Sequence, residues 1–528
     1  MRKKKPLHAV AIGFGQPVLS PGTLVLPPPG QPMRVARKLV EALYLQPAGL
    51  VLRSYRGDFY LWDGTHYVDI DRRDVRTKAY EFVEDAVWLH PDNGPQPFAP
   101  TQRKMADLME SLHACVHVES RPDAPLWIDR RPSPCITDTI AMANGLLDVR
   151  SRILHPHTPQ FFTHHVLPFA YDPKATAAPR WHQFLADLFP RDDQARQSLQ
   201  EVVGYLLAGD TRQQKAFMVV GPKRGGKGTL GRVVTGLLGP HHVAAPTLAS
   251  LATNFGLSPL ISKPLALISD ARLSTRADSK IVVERLLSIS GEDSLTIDRK
   301  YRDPWTGRLP TRFLILTNEL PRLSDASGAL ASRFVLFVLQ QSFYGKENPN
   351  LTTELLAEAP AIFNWALDGV DRLQERGYFE NPESSAEALQ QMEDLSSPIG
   401  AFIRDRCVVH FEASVERETL WTAWKTWCTE TNTKLNTKEM FGRDLRAAVP
   451  TLKVRRPRQD GTRDRHYDGI GLREHYIADL PGPLGPDPDL GPGGPGGPSD
   501  SAMYSSHGNT LFAERTARAD ELFKKGWN

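Results

Sequence analysis

AFMVVGPKRGGKGTLGRVVTGLLG, Ala216–Gly239, is the stretch whose reading decides the fold. An apolar run with the composition of a buried strand breaks into a glycine-rich loop, and apolar residues at helical spacing follow. Gly221, Gly226 and Lys227 make the spacing G-x-x-x-x-G-K. Gly221, Pro222, Lys223, Arg224, Gly225, Gly226, Lys227, Gly228 and Thr229 are therefore read as a cradle for a polyphosphate. In such a cradle loop N–H groups turn inward around the anion, the helix that follows adds the positive end of its dipole, and the lysine reaches the terminal phosphates. The position after the lysine, where a serine or threonine ordinarily ligates magnesium, is Gly228, and the hydroxyl follows at Thr229. Thr229 is thus the candidate magnesium ligand in the loop, displaced from the usual position.

Working outward, a cradle of this kind needs an acid at the end of a neighbouring strand, and Leu265-Ala-Leu-Ile-Ser-Asp270 supplies Asp270 as the second metal candidate. Ala271 stands beside it in place of a water-polarising glutamate, so the base must come from elsewhere, with Glu292 and Asp293 as candidates. A further apolar run, Phe313–Thr317, ends at Asn318, whose amide is placed to orient a water or touch the terminal phosphate. Another strand opens after Ala331-Ser332-Arg333, and Arg333 is the candidate for reaching the phosphate of an adjoining subunit. Strand-like runs alternating with helical ones predict an α/β domain over 209–383 with a mostly parallel sheet flanked by helices.

Between Asp270 and Asn318, the segment Ser294–Arg312 alternates in a β pattern and interleaves cations with Tyr301 and Trp305. Arg299, Lys300, Tyr301 and Arg302 are the candidates for gripping single-stranded DNA, cations on phosphates and rings on bases. A later unit, 397–478, reads as helix, helix and basic hairpin, with Lys453, Arg455, Arg456 and Arg458 before a turn at Asp460-Gly461. That layout predicts a winged-helix-like domain whose partner is duplex DNA at an origin, with a protein-interaction module as the alternative. Trp421, Trp424 and Trp427 fall on its first helix and are read as core.

The remaining sequence sets the frame. The 528 residues imply several domains, and 64 Lys and Arg against 61 Asp and Glu give a net charge of +3, which neither demands nor excludes a nucleic-acid partner. Four cysteines without C-x-x-C spacing suggest neither a zinc site nor a disulfide framework, and a reducing cytoplasm is expected. A basic head without a sustained apolar core, and the lack of any long apolar run, predict no membrane association. Residues 1–35 read as a flexible basic and Pro-rich arm, 36–140 as an N-terminal α+β region with a β-meander, and 141–208 as a mixed strand-and-helix collar. Residues 479–500 read as a Pro/Gly linker and 501–528 as a tail. Val68-Asp69-Ile70-Asp71 has the alternation of a primase metal site, but two aspartates also sit naturally in a hairpin, the favoured reading.

These motifs together resemble superfamily 3 helicases of the AAA+ class, specifically the C-terminal helicase half of phage and plasmid primases related to poxvirus primase-helicases. The resemblance runs over about Ala141–Gly369, through Asn144-Gly-Leu-Leu147, His157-Thr-Pro159, Trp181 with Phe184, Gly204-Tyr205, GPKRGGKGT, ISDAR, SGED with RKY, LTNELP, ASRF and NWALDG. It implies Walker A at Gly221–Thr229, Walker B at Asp270, a DNA-engaging hairpin in Ser290–Lys300, sensor 1 at Asn318 and an arginine finger at Arg333. It also implies ATP and Mg2+ as cofactors and a homo-hexameric ring with ATP sites between subunits. The order Gly228-Thr229 occurs in nucleotide monophosphate kinases too, so a phosphotransferase stays open as an alternative, as does an origin-binding ATPase that does not unwind.

Overall fold

The computed structural model describes residues 22–120, 123–271, 279–323, 325, 329–455 and 465–473. Arg456, Arg458, the Asp460-Gly461 turn, the Pro/Gly linker and the tail pattern lie outside the described residues.

The N-terminal region packs the helices Pro32–Leu43, Arg72–Val83 and Gln102–Cys115 against a meander of Leu52–Tyr55, Asp58–Trp62 and Tyr67–Ile70. Residues 22–35, assigned from sequence to an arm, join this region instead. Val25–Leu26 pairs with Val87–Trp88, and Leu26 is buried with Val35 and Leu39 because an apolar side chain there gains by leaving water. In the meander Arg56 and Gly57 take positive φ, closing the tight turn that sets Tyr55 opposite Asp58. Asp71 accepts from the backbone N–H of Arg73 at 2.8 Å and caps the next helix. This accounts for Asp71 without a metal.

The central sheet holds β1 (Ala216–Val220), β2 (Val243–Ala244), β3 (Leu265–Ile268), β4 (Arg312–Thr317) and β5 (Phe334–Val338) in the order β2-β3-β4-β1-β5, all parallel. Apart from Arg312 and Thr317 at the two ends of β4, its strands are apolar because both faces are covered. Phe217, Val219, Leu314, Leu316, Val335 and Phe337 enter one core, and Met218, Ala266, Phe313, Ile315, Phe334 and Leu336 alternate into the other. Helices α1 (Asp193–Ala208), α2 (Lys227–Leu238) and α4 (Ala359–Arg376) cover the first face, and α3 (Ser279–Ser290) covers the second. Helix Ala386–Ser396 joins that second face through Met392, and Ser385 Oγ donates to the Leu336 carbonyl at 2.6 Å, so this packing runs past the boundary at 383 expected from sequence.

Downstream, helices Pro398–Arg406, Arg417–Glu430 and Lys438–Ala448 surround Phe402, Trp424, Trp427 and Phe441. Trp424 and Trp427 are core residues, and the partly buried Trp421 packs against Phe441 in a tilted arrangement with ring centroids 5.4 Å apart. A three-stranded sheet places Lys453–Arg455 at one edge beside His466–Asp468 and Ser414–Glu416. Among the described residues no helix is long and apolar enough to cross a membrane.

Candidate nucleotide site and hairpin

The site grows from the way two neighbouring strands part. β1 leads into α2 on the first face, whereas β4, hydrogen-bonded beside it, leads toward the short helix Ala329–Ser332, which packs on the second. Adjacent parallel strands whose exits diverge leave a crevice at their C-terminal ends, where ligands of open α/β sheets bind. Lys227 and Asn318 meet there. Lys227 Nζ donates to the carbonyls of Gly221 (2.7 Å) and Pro222 (2.7 Å) and to Asn318 Oδ1 (3.1 Å). Burial lowers its pKa from the ordinary lysine value.

The loop has the shape of a cradle. Gly226, at the N-cap of α2, has φ +90°, and no side chain caps the helix, so its first N–H groups face an open end. A Cβ on Gly221 would lie 2.7 Å from Leu339 Cβ, and one on Gly226 would lie 2.5 Å from Leu188 Cδ2. The loop opens on a cavity of about 790 Å³, within the range of small-molecule sites. Its wall takes Lys223–Thr229 and Asn318 from the anticipated set and adds Phe184, Arg232, Phe343, Lys346 and Asn348. Phe343, Lys346 and Asn348 follow β5 without periodic or glycine spacing, which explains why sequence reasoning missed them.

The metal candidates are less closely gathered. Thr229 Oγ1 lies in the wall but accepts from Arg232 Nη2 at 3.1 Å, so a guanidinium already holds the hydroxyl assigned to magnesium. Asp270 is exposed, follows β3 two strands from β1, and is not among the cavity-lining residues. Among the described residues no group of three or more His, Cys, Asp or Glu is placed to hold a metal.

Arg333 is at the other end of the sheet. Its carbonyl accepts from Ala216 N (2.9 Å) at the start of β1, and its Nη1 donates to Gln214 Oε1 (2.6 Å). The length of β1, about 17 Å, separates it from the loop of Gly221–Thr229 in the same chain, out of reach of that cradle. Glu292 lies at this far end too, hydrogen-bonded to Thr211. The suggestion that it is the base for its own cradle therefore fails on geometry.

The basic segment forms a hairpin of Leu295–Arg299 and Arg302–Gly307, turning at Lys300-Tyr301. Tyr301 is 93% exposed and Lys300 Nζ lies 5.1 Å from its ring centroid, so the tip offers one ring and one cation. The other cations are engaged. Arg299 Nη1 lies 2.5 Å from Asp58 Oδ2, Arg302 lies 3.6 Å from Asp58 and 3.8 Å from Asp69, and Trp305 is buried under the Arg56 guanidinium. Arg299 and Arg302, expected to be open to DNA, instead join the hairpin to the N-terminal meander. Arg312 is buried and donates to the carbonyls of Leu206 and Asp210. In the C-terminal sheet, exposed Lys453 and Arg455 stand on the edge strand, with Arg455 Nε 3.0 Å from Asp468.

Comparison with known proteins divides the chain into three successive segments. Residues 39–190 match the family described as D5 N terminal like, 219–333 a family of unknown function, DUF5906, and 397–474 the RFX DNA-binding domain. The second match begins in β1 and ends at Arg333, so it spans the cradle, Asn318 and the hairpin. Among solved structures, the apo NrS-1 C terminal region (305-718) is 12% identical with a TM-score of 0.44, covering 84% of this chain and 99% of that one. The A form apo structure of the same region is 12% identical with a TM-score of 0.42, covering 80% and 97%. The chain is thus similar, segment by segment, to a D5 N-terminal-like region, to a family of unknown function that contains the cradle, and to an RFX DNA-binding domain.

Proposed function

We propose that this chain is an ATP-driven DNA helicase of replication, a superfamily 3 member of the AAA+ class that works as a homo-hexameric ring on single-stranded DNA. The carrying observation is Lys227, held by loop carbonyls and by Asn318 at a strand-divergence crevice on an uncapped helix N-terminus. In this reading the loop amides and Lys227 hold the β- and γ-phosphates of ATP, and Asn318 orients the attacking water. Phe184 and Phe343 supply apolar surface for the base. Thr229 and Asp270 would hold magnesium; when bound, the ion supplies charge neutralisation to the phosphoryl oxygens. For Thr229 to do so, Arg232 must release its hydroxyl. The ring is supported by the position of Arg333, which is remote from its own cradle and so suited to completing a neighbour's. Lys300 and Tyr301 would grip the strand at the exposed tip.

A second reading, an ATPase that binds origin duplex without unwinding it, is favoured by the C-terminal match to an RFX DNA-binding domain and by Lys453 and Arg455 on its edge strand. A nucleotide kinase leaves the hairpin and that unit without a role. The test is ATP hydrolysis with and without oligothymidine, alongside strand displacement and phosphate transfer to nucleoside monophosphates. Lys227→Ala should abolish hydrolysis, and hydrolysis at the wild-type rate in that variant refutes the site. Hydrolysis without displacement selects the origin-binding reading.

A further inference from the structure

The hairpin cations that face carboxylates raise a question about how a strand reaches them. Arg299 and Asp58 are largely enclosed, with side chains 10% and 19% exposed, whereas Arg302 and Asp69 are 49% and 54% exposed and their closest atoms stand 3.8 Å apart. A guanidinium fork recognises carboxylate and phosphate oxygens by the same geometry, so either can satisfy it. A cavity of about 840 Å³ adjoins the pair, and Lys263, Lys300 and His241 line it together with Asp58, Asp69 and Arg302. A backbone lying against Lys300 at the tip therefore has a cation-lined route to Arg302. The far side of the hairpin stays anchored during such an exchange, because Trp305 is covered by Arg56, which in turn pairs with Asp123.

We propose that Asp58 and Asp69 of the N-terminal meander act as a built-in phosphate mimic, occupying Arg299 and Arg302 until the phosphodiester backbone of a single strand displaces them. This rests on the helicase reading, and it gives the N-terminal region a part in DNA binding: its two carboxylates set the threshold for engagement. Arg302, the more exposed, exchanges first, and Arg299 follows only when the strand is held closely.

The experiment is a double-mutant cycle on the full chain, read by fluorescence anisotropy with labelled oligothymidine at fixed salt. Asp69→Asn should tighten binding about threefold, the scale of an exposed ion pair. Asp58→Asn combined with Asp69→Asn should tighten it about tenfold, since a less exposed pair is then released too. In an Arg302→Gln background the gain from Asp69→Asn should vanish, because the carboxylate has lost the cation it withholds. Asp69 and Arg302 are both half-exposed, so this smaller cycle stays informative even if the Asp58 variant folds poorly. A gain of equal size in the Arg302→Gln background would show a general charge effect and overturn the mimic, as would weaker binding by Asp69→Asn. Wild-type protein and variants that all fail to bind oligothymidine overturn the helicase reading as well. Wild-type binding that Asp69→Asn leaves unchanged overturns this proposal alone.

Discussion

Gly226 and Gly228 stand two positions apart in the cradle, yet the structure gives them opposite tolerance for a methyl group. Gly226 has φ +90°, and its added Cβ would lie 2.5 Å from Leu188 Cδ2, a methyl in a core where Leu188 is 2% exposed. An alanine there costs about 1–2 kcal/mol for left-handed backbone and about 1–3 kcal/mol for overpacking. Gly228 lies inside α2 at negative φ, and its Cβ would meet only the end of the Arg232 side chain, at 3.3 Å. Alanine there gains up to about 1 kcal/mol of helix propensity. Urea unfolding should therefore show Gly226→Ala destabilised by a few kcal/mol (about 2–5 from these terms) and Gly228→Ala unchanged or slightly more stable. Because Gly226 also shapes the loop amides, Gly226→Ala should lose most of the thermal stabilisation that ATP confers, whereas Gly228→Ala keeps it. Equal stability and equal ATP response in the two variants would refute both the backbone argument and the placement of the cradle.

Arg333→Ala should lose hydrolysis by about 10²-fold or more yet still assemble; mixing it with Lys227→Ala protein should restore part of the activity, and failure to do so in mixed rings argues against action across subunits. Lys300→Ala should keep near-normal basal hydrolysis, lower the salt dependence of oligothymidine binding by about one ion, and unwind poorly in strand displacement; unwinding at the wild-type rate removes the hairpin from translocation. Burial depresses His164 and His242 to about 4 from an ordinary 6.5, and His165 well below it. The unfolded chain takes up these protons first, so the stability that depends on these three rings staying neutral is present above pH 6.5 and is lost as pH falls toward about 4. Melting temperature should fall across that window, and a His242→Asn variant should show a shallower fall; a flat profile contradicts the burial of these rings.

Local chemistry carried much of this protein in its sequence. The strand, glycine spacing and lysine of Ala216–Gly239 determine the strand–loop–helix on which the proposed phosphate cradle rests, because each requirement is local in the chain: an apolar strand, positive φ at Gly226, and a helix start at Lys227. The parallel sheet was legible for the same reason, since strands buried on both faces read as continuous apolar runs. Trp424 and Trp427 were legible as core, whereas Trp421, read the same way, is only partly buried. Partners distant in sequence were not. Asp58 and Asp69 lie more than 200 residues before the arginines they neutralise, and no pattern around Arg299 announces that its charge is spent on the meander. The place of Arg333 at the far end of β1 follows from strand direction and sheet order, which local spacing does not encode. The hold of Arg232 on Thr229, by contrast, is one helical turn long, yet the same guanidinium also donates to Thr352, which lies a long excursion of the chain away. Sequence determined which groups this protein owns; tertiary structure decided which of them remain available, because a charge is satisfied by whatever the fold brings beside it.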